Sequence, residues 1–419
     1  MRLAFLVPNV FFALIPTATA SADHRPGITQ TGSLLAFPAV EVKWNRDGQA
    51  VQDTIISLVN DVDEPVNLRV CYVNGDGPIP GGGDCDAANP NCDPATIEPP
   101  HPGWNHVCFD LYLSNHQPVY FSALTGSPAA TRTPFNSLDP SGRLDPEIPD
   151  GSRRVRGFIL VWAVNTDGHE ISWNHLSGKA TTIHYGDGSV WEYSAYAFAA
   201  LQGDNGSPTD SNPGLMLLNG IEYEAPFDRL IFNFFATGQA SPSDTTRSLN
   251  IDTDLTLMPL EQDLREESFG PVTSAAVLDV WNLNETRFGP TEELVTCWFQ
   301  RPLSLLDPAS HIFLGSVLQT DNGKARIEGA AKLDCPDGLV VPSALLGVAA
   351  RSVRFQLLKK DVSAVSLIGE GCEEAAVLFS PSSIEERTAG GGTRPGAIDD
   401  ADGSTRPGQI GSGTGTGAN

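Results

Sequence analysis

Basic residues are scarce in this chain. Lys and Arg number 26 against 51 Asp and Glu, a formal net charge of −25 over 419 residues. Such a surface repels a phosphate backbone, so nucleic acid is not an expected partner. The plain consequence of the charge is solubility. Long apolar runs are also lacking. After the first two dozen residues, nothing approaches the roughly 20 apolar residues of a membrane-crossing helix, so no membrane span is expected. Helix signals are few, whereas 41 Gly and 32 Pro supply many turns.

The usual catalytic signatures are missing. There is no Gly-x-Ser-x-Gly elbow, no His-Glu-x-x-His and no phosphate-cradling glycine loop followed by Lys. His169-Glu170 has no second His four positions after the first. Cys-x2-Cys spacing is absent, which disfavours zinc. Acidic pairs such as Asp252/Asp254 and Glu292/Glu293 read as solvated faces rather than a glycosidase dyad. The balance is against catalysis.

What is present begins with an export signal. Arg2 precedes an apolar core from Leu3 to Ile15, followed by small-x-small sites that end near Ala22. Residues 1–22 are expected to be a cleaved leader, which puts the mature protein in a periplasm or outside the cell. Seven Cys fit that compartment as disulfides plus one leftover. The favoured pairs are Cys71 with Cys108, Cys85 with Cys92, and Cys297 with Cys335, leaving Cys372 over.

Alternation dominates the body of the chain. In "PVNLRVCYV", Val66, Leu68, Val70 and Tyr72 share one face and Asn67, Arg69 and Cys71 the other. "HVCFDLYLS", "VRGFILVWAVN", "FDRLIFNFFATG", "LNIDTDLTLMPL" and "SHIFLGSVLQT" read as further strands. Asp167-Gly168 and Asn322-Gly323 read as tight hairpin turns, with Asp47-Gly48 and Asp187-Gly188 similar. Short helices are expected only at Ser189–Leu201 and in "PLEQDLREE".

The expected fold is mostly β, with two Ig-like β-sandwich domains. The first covers 23–262 with insertions and the second 263–384, followed by a disordered Gly-rich tail at 385–419. Ile56, Leu58, Asn60, Leu68 and Cys71 find counterparts in Leu278, Val280, Asn282, Leu294 and Cys297. This correspondence suggests related early hairpins in the two domains, though two ordinary hairpins would share as much.

Two constellations could carry function. Aromatic and imidazole groups gather at His101, Trp104, His106, Trp173, His175, His184 and Trp191. If their loops meet, they form a platform for a glycan or a His metal site. Alternatively, the Trp rings plug the ends of the sandwich and the His groups cap or solvate it. Asp84, Asp86, Asn89, Asn91 and Asp93 crowd one loop with oxygens that suit calcium, although the pattern is not an EF-hand. Arg153, Arg154 and Arg156 make a basic cluster that offsets neighbouring acids.

"RGFILVWAVN", "WNHLSG", "WEYSAYAF" and "VWNLNE" with its later "TCW" resemble a family of exported, β-rich bacterial proteins that has no assigned activity. The resemblance spans about Thr31 to Ser380. It implies export and supplies no site residues. The expectation is an exported, non-enzymatic binding or structural protein whose partner is a glycan or an envelope protein. The alternative is a carbohydrate-binding or carbohydrate-active protein that uses the Trp/His loops.

Overall fold

The computed structural model describes residues 27, 30–45, 47, 49–77, 106–125, 153–209, 216–227, 229–240, 249–260, 273–332, 340–355 and 359–370. Strands dominate, and all their pairings are antiparallel. The expected mostly β character is therefore observed.

The first sheet contains β1 (Leu34–Trp44), β2 (Ala50–Asn60), β3 (Val66–Asn74), β4 (His106–Leu113), β5 (Pro118–Ser122), β6 (Arg153–Val164), β7 (Leu176–His184), β8 (Val190–Ser194) and β9 (Tyr196–Phe198). Their order is β4-β3-β6-β1-β2-β7-β8, with β5 on β2 and β9 on β1. The sheet encloses an apolar core. Leu68, Val70, Ile159 and Val161 from the β3–β6 side meet Ile56, Leu58, Ala180 and Tyr193 from the β2–β7–β8 side.

A bulge in β1 makes this possible. Phe37 pairs with Ile159, but the next pairing is Val40 with Gly157, so β1 holds one extra residue. In a regular strand, Leu35 and Phe37 would share a face with Ala39 and Glu41. The extra residue resets the alternation, and Leu35, Phe37, Val40, Val42 and Trp44 all enter one core. Pro38, which has no N–H to give the ladder, sits in the bulge. Opposite it, the Val73 carbonyl crowds residue 157 so closely that only glycine fits.

Two further sheets follow. Their strands are β10 (Arg229–Phe235), β11 (Gly238–Ala240), β12 (Leu249–Pro259), β13 (Thr273–Asn282), β14 (Arg287–Thr296), β15 (Phe299–Pro302), β16 (Asn322–Lys332), β17 (Val340–Pro342), β18 (Leu345–Phe355), β19 (Lys359–Ser366) and β20 (Ile368–Glu370). A six-stranded sheet runs β14-β13-β16-β10-β20 with β17 on β16. A five-stranded sheet runs β11-β12-β18-β19 with β15 on β12. Strand pairing thus leaves the first sheet between β9 and β10, while the expected boundary at 262 falls after β12. One apolar cluster joins all three sheets, running from Leu34, Phe158 and Phe198 to Leu230, Phe232, Leu255, Leu257 and Ile327.

Several local expectations need correction. β2 and β3 do not form a hairpin. β2 pairs with β1, β5 and β7, and β3 with β4 and β6, so the chain crosses from one side of the first core to the other. β13 and β14 are a true hairpin, so the two segments share a pattern without sharing a pairing. The expected helix at Ser189–Leu201 is β8 and β9, because Trp191 and Tyr193 alternate inward. The expected strand Ser310–Thr320 instead holds the single-turn helix α1 (Gly315–Leu318), which buries Leu318. Asn322-Gly323 therefore opens β16 rather than turning a hairpin. Gly168 and Gly188 do turn with positive φ as expected. Most of "PLEQDLREE" lies outside the described residues.

Candidate functional site

The WNH segment is knitted into the fold. The Trp173 indole N–H donates to Asn60 Oδ1 at 3.1 Å, and its backbone N–H donates to Ser33 Oγ at 2.6 Å. The Ser33 hydroxyl donates in turn to Asn174 Oδ1 at 2.7 Å, and the Asn174 amide donates to the Ala200 carbonyl at 2.9 Å. This chain of bonds ties the start of β1, the end of β2 and the second residue after β9 around the loop. The Trp173 ring is 4% exposed, with His175 edge-on at 5.8 Å. His175 Nδ1 lies 3.1 Å from Asp61 Oδ1 at the surface.

The other expected members sit elsewhere. His175 precedes β7 and His184 ends it, so about nine residues of extended strand, roughly 30 Å, separate them. Burial lowers the His184 pKa and favours the neutral ring. Trp191 is 9% exposed and stacks on Tyr193 inside the first core. His106 begins β4 opposite Val73 and is half-buried. His101 and Trp104 lie outside the described residues. The structure thus joins Trp173 with His175 and places His184 and Trp191 at the far end of the strand.

The calcium candidates Asp84, Asp86, Asn89, Asn91 and Asp93 also lie outside the described residues, as do Cys85, Cys92, Cys335 and Cys372. Among the described residues, no group of three or more His, Cys, Asp or Glu side chains could hold a metal. The Cys71–Cys108 disulfide is present, joining directly opposed residues of β3 and β4. Its face is not the polar one that the alternation implied. Cys71 is 6% exposed and belongs to the core shared by the three sheets. Cys297 is buried in the same core.

Two clefts lie outside these sets. The first, about 310 Å³, is lined by Arg154, Arg156, Trp298, Arg301 and Leu305 among others. The expected offsetting of charge is seen at Arg156, whose Nε donates to Asp76 at 2.9 Å while its guanidinium covers the Trp298 ring at 5.4 Å. Arg301 likewise pairs with Glu293 at 3.3 Å. The second cleft, about 450 Å³, lies between the six-stranded and five-stranded sheets. Ile231, Phe232 and Val365 form its apolar walls, and Asn233, Lys324, Arg351 and Ser366 its polar ones. Sequence reading missed this second set. Its one signal is Arg351 following Gly347 and Ala349 on the face of β18 that otherwise packs inward.

No protein-family model matches the chain, and no curated protein matches it. Among solved structures, the crystal structure of the CupB6 tip adhesin from Pseudomonas aeruginosa aligns over 82% of this chain and 92% of that one, at 11% identity and a TM-score of 0.11. A likeness at that level assigns neither fold nor function.

Proposed function

We propose that this is an exported, non-enzymatic binding or structural protein of the bacterial envelope or extracellular space. The observation that carries the proposal is the Cys71–Cys108 disulfide. Such bonds persist in oxidising compartments and are rare where thiols are kept reduced. Antiparallel sheets with long intervening segments suit a rigid scaffold whose loops do the binding. A sugar platform at Trp173 and Trp191 gains no support, because both rings are buried. The remaining glycan candidates are His101, Trp104, His106, His175 and His184.

The test is fractionation of cells expressing the full chain, with thiol alkylation before lysis and sequencing of the mature N-terminus. The expected result is protein in the periplasm or medium, beginning near Asp23, with Cys71 and Cys108 protected from alkylation. Reduced, unprocessed protein in the cytosol overturns the proposal. Turnover in a broad glycoside and ester substrate panel would overturn its non-enzymatic part.

A further inference from the structure

We propose that the cleft between the six-stranded and five-stranded sheets binds the carboxylate head of an amphipathic organic acid. This names a ligand class for the binding role proposed above and rests on that reading. Arg351 projects from β18 toward the six-stranded sheet, where its guanidinium lies 5.5 Å from the Phe235 ring centroid. Its Nε is buried and has no hydrogen-bond acceptor. Among the described residues no carboxylate pairs with it. In register, the nearest acid on its face of the sheet is Asp361, opposite Val353, and it makes no ion pair with Arg351. In a chain of net charge −25, a sheltered guanidinium without a carboxylate is unexpected. A buried donor left unpaired is costly, and a cation more so.

The surroundings define the acceptor. Lys324 and Asn233 are directly opposed on β16 and β10, and both reach the same cleft. No hydrogen bond or ion pair to their side chains exists among the described residues. The Ser366 hydroxyl is already spent on the Ser194 carbonyl at 2.6 Å, so it offers the ligand no proton. Among the described residues, no Asp or Glu lines the cleft. The site therefore presents a planar guanidinium, an ammonium and an amide to one anionic group. Ile231, Phe232 and Val365 form an apolar floor for the rest of the molecule. Among the described residues, β20 pairs with β10 only from Arg229 to Ile231 and leaves the Asn233 end of that strand edge uncovered. A volume near 450 Å³ suits a small organic acid rather than a bare ion.

Isothermal titration of the purified full chain with phenylacetate and hexanoate tests this. Phenethyl alcohol, hexanol and inorganic phosphate serve as matched probes. Both carboxylates are expected to bind at least about tenfold more tightly than their alcohols and than phosphate, since the charged head supplies the difference. Arg351→Gln should weaken carboxylate binding about tenfold or more while leaving the alcohols unchanged. Lys324→Glu, at an exposed position that tolerates substitution, should weaken it in the same sense. Equal binding of acids and alcohols overturns the proposal, as does phosphate matching the acids. Undiminished binding in folded Lys324→Glu and Arg351→Gln proteins also overturns it. Fractionation reads export separately, so either result can fail alone.

Discussion

The indole N–H of Trp298 donates to the carbonyl of Pro38 at 2.6 Å, across 260 residues of sequence. That carbonyl is available because Pro38 lies in the β1 bulge, where the ladder to β6 is interrupted. The neighbouring Ala39 loses its ladder partners in the same way, and the Tyr193 hydroxyl replaces them. It accepts from the Ala39 N–H at 2.9 Å and lies 2.8 Å from the Ala39 carbonyl. One aromatic from β8 and another from the turn before β15 therefore satisfy the backbone that the bulge leaves open. Trp298→Phe keeps an aromatic body and leaves the Pro38 carbonyl unpaired, and should cost about 1–3 kcal/mol. Tyr193→Phe strips two backbone groups and should cost more, about 2–4 kcal/mol. Urea unfolding of each variant checks the order. A Trp298→Phe protein as stable as the parent would show that this bond does not hold the first sheet to the rest.

The disulfide makes a second prediction. Cys71 and Cys108 are 37 residues apart, and closing a loop of that length restricts the unfolded chain by about 3–4 kcal/mol. The double variant Cys71→Ala/Cys108→Ala should lose roughly that much stability. Reduction of the parent should lower its melting temperature to the same value. If dithiothreitol leaves the parent's melting curve in place, the bond contributes nothing to stability in the folded protein.

Much of the strand inventory was legible because alternation survives wherever one face of a strand is solvated, as in β4 with Asp110 and Tyr112 outward. It failed where both faces are buried. Tyr196, Ala197 and Phe198 are all buried, so Ser189–Leu201 lost its period and read as a helix. Pairing was less legible than strand identity. Asn60 and Asn282 end their strands in similar sequences, yet they serve different geometries. The Asn282 side chain accepts from the backbone N–H groups of Asn284 and Thr286 and closes a hairpin. Asn60 instead receives the Trp173 indole and donates to the Glu64 carbonyl as the chain crosses to the other side of the core. Turn residues report that the chain turns and not which strand it meets next. The Arg351 cleft was hidden for a similar reason, because its walls come from β10, β16, β18, β19 and β20.

The Asp84–Asp93 segment yields a plain metal test. A calcium ion bound by Asp84, Asp86 and Asp93 would link to folding, and the melting temperature should rise in excess calcium relative to EDTA. Equal melting temperatures in the two conditions remove calcium from this segment. Asp84→Asn with Asp86→Asn should abolish any rise.

Asp254 gives the pH prediction. Burial, and then the adjacent charge of Asp252, push its carboxyl up to about 6. Glu41 raises it further and Lys360 opposes the shift. The folded pKa thus exceeds the unfolded one, so the native state holds the proton more firmly. Between about pH 4 and 6 the unfolded chain binds fewer protons at this site, and its contribution to stability falls as pH rises. Above about pH 6 the destabilisation is complete, of order 1–3 kcal/mol. Asp254→Asn removes the charge and keeps the shape. The variant should match the parent near pH 4 and become progressively more stable than it toward pH 7. Asp187 and Asp279, whose pKa values are lowered, pull the parent the opposite way at acid pH, but they act equally in both proteins and cancel in the difference. Denaturant melts of the pair at intervals from pH 4 to 7.5 measure that difference directly. A gap that stays flat across the range would mean that Asp254 is as well solvated in the folded chain as in the unfolded one.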